Sequence, residues 1–345
     1  MSIDWKAFLS SQGARFDSKQ RVTFGTEPES RHSNTLAVLT NKTFISIEGS
    51  DAAKFLQGQI SVHMNELLEN KHRPGVACTP KGRMYSSFRI LHQPSGYRLV
   101  TEQNVAEHTL ATLNKYAVFF KSELARDDSL MILALSGNNI ESIFIELGII
   151  LAESDTAIKV EGGYLLKVPG LCPRFELWID KQSLPFWWEK LTKNCIPVSE
   201  GLQRLLDIEA VIPGINSACI EKYIPQQLNM ATLGAVSFRK GCYTGQEIVT
   251  RMQSLGQQKN RTYRLLMDQN KVFEPATKLF DLNGKNIGEV IDSSFAPDTA
   301  QTEALAVIRI DAADTGHVYL DEHQTQILHV QPLPYLIDTK QELQQ

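Results

Sequence analysis

Before residue 255, apolar side chains recur at two spacings, every second position in some segments and every third or fourth in others. The first spacing turns one face of a strand toward a core, and the second turns one stripe of a helix there. Segment 36–47 reads as two short strands around a turn at Asn41-Lys42, ending at Glu48-Gly49. Ser50 then stands as the cap of a helix whose inward face is Ala52, Phe55, Leu56 and Ile60. Strands over 84–91 and 97–101 pair across Pro94-Ser95-Gly96, followed by a helix over 105–116 and a strand over 130–135. A helix over 140–147, strands over 164–168 and 174–179, and a helix over 184–192 repeat a similar order. With no repeat period and no low-complexity tract, this succession predicts an α+β fold of two related modules rather than a doubly wound sheet.

Beyond residue 255 the helical spacing disappears. Short alternating strands are expected over 262–267, 278–282, 285–292 and 303–310, and Asn283-Gly284 between two of them is a hairpin signal of the type I′ kind. Regular spacing of this sort suggests a small barrel or sandwich.

Composition narrows the picture modestly. A chain of 345 residues exceeds what one hydrophobic core usually serves. Net charge of −4 and an isoelectric point near 6.1 argue against a dedicated nucleic-acid or membrane-surface binder. Five cysteines without a C-x-x-C pair make neither a disulfide framework nor a self-contained metal site, which suits a reducing compartment. Eight scattered histidines add no ligand pair, so no stable metal is expected. Gly137-Asn138-Asn139 lacks the spacing of a nucleotide-binding loop. The start of the chain shows no signal-peptide pattern, and no window approaches the roughly 18 to 20 apolar residues of a membrane span. A soluble cytoplasmic protein is expected.

Chemistry concentrates in Lys240-Gly241-Cys242-Tyr243-Thr244-Gly245-Gln246-Glu247. Thr244 and Glu247 stand in capping-box relation, which predicts Thr244 as the N-cap of a helix and Tyr243 with Ile248 as its hydrophobic staple. Cys242 would then lie beside unpaired backbone N–H groups and the positive end of the helix, with Arg239 and Lys240 adding charge. All three influences favour a reactive thiolate. For Cys78, Cys172, Cys195 and Cys219 the expectation is a small buried hydrophobe. Between 239 and 264, Arg239, Lys240, Arg251, Lys259, Arg261 and Arg264 face a single acid, Glu247. That excess suits a polyanion if the charges share one face and is ordinary surface if they do not.

The stretch Phe238-Arg239-Lys240-Gly241-Cys242-Tyr243-Thr244-Gly245-Gln246-Glu247, with Ile224-Pro225-Gln226 before it and Arg251 after it, resembles the signature of the YgfZ family of folate-binding, tRNA-modification and iron-sulfur maintenance proteins. Gly49-Ser50-Asp51, Phe55-Leu56-Gln57-Gly58-Gln59, Lys81-Gly82-Arg83-Met84, Lys115-Tyr116-Ala117-Val118-Phe119 and Pro332-Leu333-Pro334-Tyr335 extend the likeness over almost the whole chain. That family is similar in fold to the aminomethyltransferase, or T-protein, of the glycine cleavage system. The resemblance implies two ferredoxin-like α+β domains and a C-terminal β-barrel around a folate site. Residues 1–48 with 130–240 would form one domain, 49–129 the second, 245–337 the barrel and 338–345 a tail.

The resemblance also implies a function. Cys242 with Lys240 would carry the chemistry, and Arg239, Gly241, Tyr243, Thr244, Gly245, Gln246, Glu247 and Arg251 would complete the motif. Tetrahydrofolate or another folate would be bound, with iron-sulfur enzymes such as tRNA methylthiotransferase as transient partners, tRNA contact indirect or weak, and the chain a monomer. Glu209 would accept hydrogen bonds from the pterin edge. Lys42 and Gln203 stand where the family has tryptophan beside the folate, and Lys42 is either a partner for a folate glutamate carboxylate or a solvated surface lysine. The related enzyme carries paired aspartates at positions matched here by Ser86 and Ser87, whose hydroxyls do not replace a carboxylate as base. An accessory factor is therefore expected ahead of a tetrahydrofolate-dependent aminomethyl or one-carbon transferase, with a folate-binding regulator carrying a structural cysteine as the third reading.

Overall fold

In a computed structural model, which describes residues 3–18, 20–26 and 28–343, two mixed α+β modules and a closed barrel are arranged along the chain. One sheet has five antiparallel strands in the order His72–Cys78, Met84–Gln93, Gly96–Glu102, Lys42–Glu48 and Glu123–Asp127. Helices Ala52–Gln59 and Gln103–Ala117 cover one face of it. Strand alternation decides which residues meet them. Ile45, Ile47, Ile90 and Leu99 point to the helices and pack with Phe55, Leu56 and Leu113, all at most 1% exposed. Full burial of each such side chain contributes about 1.5–3 kcal/mol. The expected inward helix residues Ala52, Phe55, Leu56 and Ile60 are all buried, although the N-cap is Asp51 rather than Ser50. Asp51 instead accepts the backbone N–H of Lys121 at 3.0 Å.

The second sheet repeats that arrangement. Its strands run Ile158–Val160, Gly163–Val168, Arg174–Asp180, Leu130–Ser136, Thr35–Val38 and Ile196–Val198, with Ile196–Val198 parallel to Thr35–Val38. Helices Ile140–Glu146 and Leu184–Leu191 bury Phe144, Trp187 and Trp188 against one face. The opposite face presents Ile132, Leu166 and Trp178 to Phe44, Leu91 and Val100 of the five-stranded sheet, so the two sheets pack face to face. Leaving aside the outer strand of the first sheet, the outer and inserted strands of the second, each module has the strand order of a ferredoxin-like βαββαβ unit.

The two strands read around Asn41-Lys42 both form, but they separate into different sheets instead of pairing. Glu200 accounts for the parting: its carboxylate accepts the N–H groups of Thr40 and Asn41 at 2.8 and 3.1 Å. Six strands between Asn260 and Val330 close the barrel around Leu265, Leu279, Val290, Ala306 and Leu328. The hairpin at Asn283-Gly284 is present with a different turn. Only Gly284 has positive φ, at 69°, and Asp281 accepts from the N–H groups of Asn283 and Lys285, which makes a longer loop with one left-handed residue in place of type I′. Between modules and barrel run helix Gly201–Glu209, a long connection, and helix Gln246–Ser254. A separate core of Val76, Met84, Ile208, Leu228, Val249 and Leu305 binds these pieces together.

Candidate functional site

Where the facing sheets, helix Gly201–Glu209 and the barrel meet, they enclose a cavity of about 1070 Å³. Five cationic side chains and seven carboxylates line it, which makes its walls far more polar than a packed core. Lys42 faces this space. Burial pulls its ammonium down, but Glu176, Asp207 and Glu102 outweigh that, so its pKa stands above the ordinary lysine value. The solvated surface lysine is therefore not what the fold builds. Glu102 lies directly across from Lys42 in the sheet, and burial pushes its carboxyl up against the pull of Lys42. Arg174 donates to Asp207 at 2.8 Å, and Arg204 pairs with Asp292 of the barrel. Among the described residues, Asn41 Oδ1, Arg174 Nε and Arg204 Nε of this lining are buried without a hydrogen-bond partner.

The other residues singled out in sequence fall in and out of that lining. Gln203 lines it from the wall: its Nε2 donates to Ser136 at 3.0 Å, and its side-chain and backbone oxygens accept from Arg174. Gln203 thus holds Arg174 in place. Glu209, at the end of the same helix, stands outside the lining, its carboxylate meeting His32 Nε2 at 3.0 Å and Arg31 at 3.8 Å. Ser87 lines the cavity and accepts the N–H of Ile215 at 2.9 Å; Ser86 is buried behind it, 3.2 Å from the Thr101 hydroxyl. Neither supplies a charge.

The thiol loop is a separate place. None of residues 239–247 lines the cavity. Cys242 is exposed, whereas the other four cysteines are buried. Its neighbours explain how it is held. The ammonium of Lys240, only 5% exposed, donates to the carbonyls of Ile60 and Val62 and lies 4.8 Å from the centroid of the buried Tyr243 ring. Burial lowers Lys240 to about 7, while the two carbonyls and the ring face favour its charged form. Val62 also touches Gly75 of the cavity wall, where an added Cβ would sit 2.5 Å from Val62 Cγ2. Segment 60–62 therefore separates the Lys240 head from the cavity.

The capping box does not form. Helix Gln246–Ser254 has Gly245 as N-cap with no side-chain cap bond, and Glu247 is exposed. Thr244 is drawn instead to the end of helix Ala52–Gln59, its N–H donating to the Gly58 carbonyl at 3.1 Å. Gly245 has φ +86°, and a Cβ there would lie 2.5 Å from the Thr79 carbonyl and 3.2 Å from Gly82 Cα. The Lys81-Gly82-Arg83 turn and the thiol loop thus meet glycine to glycine. Gly241 has open space around it. Gln246 reaches back to the Lys240 carbonyl at 3.4 Å, and Gln226 holds the helix through the Val249 carbonyl at 2.8 Å.

Of the two basic residues expected beside the thiol, Lys240 is turned inward, and the exposed Arg239 lies 3.7 Å from Glu66. The longer basic run is not uniformly exposed. Arg251 and Lys259 are exposed, Arg264 is bound to the buried Glu303, and Arg261 is partly buried. Among the described residues no three His, Cys, Asp or Glu side chains group as a metal site, and no helix is long and apolar enough to cross a membrane.

Sequence reasoning missed Arg89, Glu102, Arg174, Glu176 and Asp292 in the cavity. All five sit on strands, where only Arg174 and Glu176 recur at alternate positions, and a charge on a strand is also the pattern of a solvent-facing side.

No protein-family profile matches the chain. Among individual proteins, two that are each named tRNA-modifying protein YgfZ align over 308 residues, 88% of this chain and 92% of each relative. The one from Pectobacterium carotovorum subsp. carotovorum is 31% identical and the one from Pectobacterium atrosepticum 32%. Among solved structures, the glycine cleavage system aminomethyltransferase T from Bartonella henselae superposes with a TM-score of 0.79 at 18% identity, covering 97% of this chain and 98% of that one. At such identity the likeness establishes the fold alone. Fold and sequence agree with the motif resemblance, and the chain belongs to the YgfZ family, built on the aminomethyltransferase fold.

Proposed function

We propose that this chain is a cytoplasmic, folate-binding accessory protein for tRNA modification, supporting iron-sulfur enzymes such as tRNA methylthiotransferase through the exposed thiol of Cys242. Its relatives are named for tRNA modification. The observation that carries the reading is a division on the aminomethyltransferase fold: a large polar cavity lined by the Ser87 hydroxyl, with Ser86 behind it, and an accessible thiol outside it.

Tetrahydrofolate fits the residues present. Ligand pockets for molecules of that size run to roughly 300–1,000 Å³. The pterin edge offers both donors and acceptors, and the lining offers an unpartnered acceptor on Asn41 and unpartnered donors on Arg174 and Arg204. When bound, a tetrahydrofolate supplies a carrier for one-carbon units. The chain's own residues bind and orient it. Ser86 and Ser87 offer neutral hydroxyls that do not serve as the base or charge partner a carboxylate would be, which favours the accessory role over aminomethyl transfer. An accessible thiol can enter a mixed disulfide or complete the metal coordination of a partner protein. Of the basic residues in 239–264, Lys240 is buried and Arg264 is paired with the buried Glu303, which favours tRNA being reached through the client enzyme.

The test is cellular. In cells lacking this protein, the ratio of 2-methylthio to unmodified isopentenyladenosine in tRNA should be low and should rise when the wild-type chain is supplied. A ratio that does not respond would overturn the reading.

A further inference from the structure

We propose that Lys42 and Arg89 form an anion-binding end of the central cavity that takes the carboxylates of the folate's glutamyl part, so that the protein selects glutamyl-bearing folates over bare pteroates. This rests on the folate reading of the cavity and names what that reading leaves open, the group that recognises the ligand's charged end.

Both side chains project from the cavity-facing side of the five-stranded sheet. Arg89 lies across from Val100 and Lys42 across from Glu102, and those two partners, two residues apart on one strand, share a face. Neither cation is neutralised by a direct contact. Among the described residues Lys42 Nζ takes no hydrogen bond or ion pair, and the carboxylates acting on it do so at longer range. The contact made by Arg89 is from Nη1 to Nδ1 of His72 at 3.1 Å. His72 is 2% exposed, and burial first, with the Arg89 charge second, holds it down to about 3. A neutral imidazole therefore fixes the guanidinium from behind without cancelling its charge.

The carboxylates nearest both cations are already engaged. Asp207 accepts from Arg174 at 2.8 Å, and Glu176 accepts from the Trp178 indole N–H at 2.8 Å. Glu102 accepts from Asn41 at 3.4 Å, and burial favours its protonated form. Placing cations in a cavity wall without direct partners is costly unless a charged ligand completes them. A glutamyl group brings two carboxylates, one suited to the planar fork of an arginine and one to the point charge of a lysine.

The experiment is calorimetric titration of the full chain with tetrahydrofolate and with tetrahydropteroate, which lacks the glutamate, at one pH and salt concentration. Wild type should bind tetrahydrofolate at least about tenfold more tightly, the ordinary size of a charge-assisted hydrogen bond. Lys42→Met and Arg89→Met should each bring that ratio toward one. Equal affinities in wild type would overturn the proposal without recourse to any variant, as would an unchanged ratio in both folded variants. If wild type bound neither ligand, the folate reading of the cavity would fall as well.

Discussion

The central cavity and the thiol loop are both polar, yet they are built by opposite means. In the cavity the polar groups are side chains on regular strands and a helix, set by register and held by one another, as in Arg174 with Gln203 and Asp207. In the loop the backbone does the holding. Lys240 is clamped by two carbonyls, Thr244 by a third, and Gly245 closes a space that admits no side chain. The first arrangement presents charge to an internal cavity, and the second buries its one ammonium beneath a loop whose Cys242 is exposed. A sequence motif therefore need not line the pocket of its protein; here it frames a surface thiol.

The largest effect expected from this contrast is in thiol reactivity. Brief alkylation of the native protein, followed by mass mapping, should label Cys242 at least a thousandfold faster than Cys78, Cys195 or Cys219, which react only after opening of the fold. Burial also pushes the thiols of Cys78 and Cys195 up to about 12 and that of Cys219 to about 11. Comparable labelling of any buried cysteine would break the distinction.

Next comes the backbone of the loop. Gly245→Ala places a Cβ against the Thr79 carbonyl at a positive φ, so it should destabilise the protein by about 2 kcal/mol or more, whereas Gly241→Ala, facing open space, should stay within about 0.5 kcal/mol. Denaturant unfolding of both variants checks this. Similar losses at the two glycines would mean that the loop is not held as described.

A smaller effect sharpens the role of Lys240. Its folded pKa of about 7 lies below the unfolded lysine value, so the unfolded chain binds more protons between roughly pH 7 and 10, and stability should rise with pH across that window. The slope from this group is at most about 1.4 kcal/mol per pH unit. Urea unfolding at several pH values should show that limb in wild type and a flatter one in Lys240→Met. An identical pH dependence in the two would contradict the buried ammonium.

Much of the scaffold was legible because core-facing periodicity is a local signal: the inward residues of helix Ala52–Gln59 and the strand pair Met84–Gln93 with Gly96–Glu102 follow from spacing and a Pro-Ser-Gly turn. What escaped was decided by distant partners. Thr244 has the sequence of a cap, but the Gly58 carbonyl, 186 residues earlier in the chain, takes its hydroxyl and N–H. Asp281 redirected the Asn283-Gly284 hairpin through its own side-chain acceptors. Lys42 reads as surface from its charge and becomes cavity wall only when the two sheets face each other. The motif around Cys242 was recognisable from sequence, while the charged lining of the cavity was not, because alternating polar residues look the same whether they face solvent or an internal ligand site.

The most direct measurement is the ratio of 2-methylthio to unmodified isopentenyladenosine in tRNA from cells lacking this protein and supplied with either wild type or Cys242→Ser at equal abundance. Wild type should restore the modification and the serine variant should not. Equal restoration by the two would contradict the assignment of the outward-facing thiol as the working group.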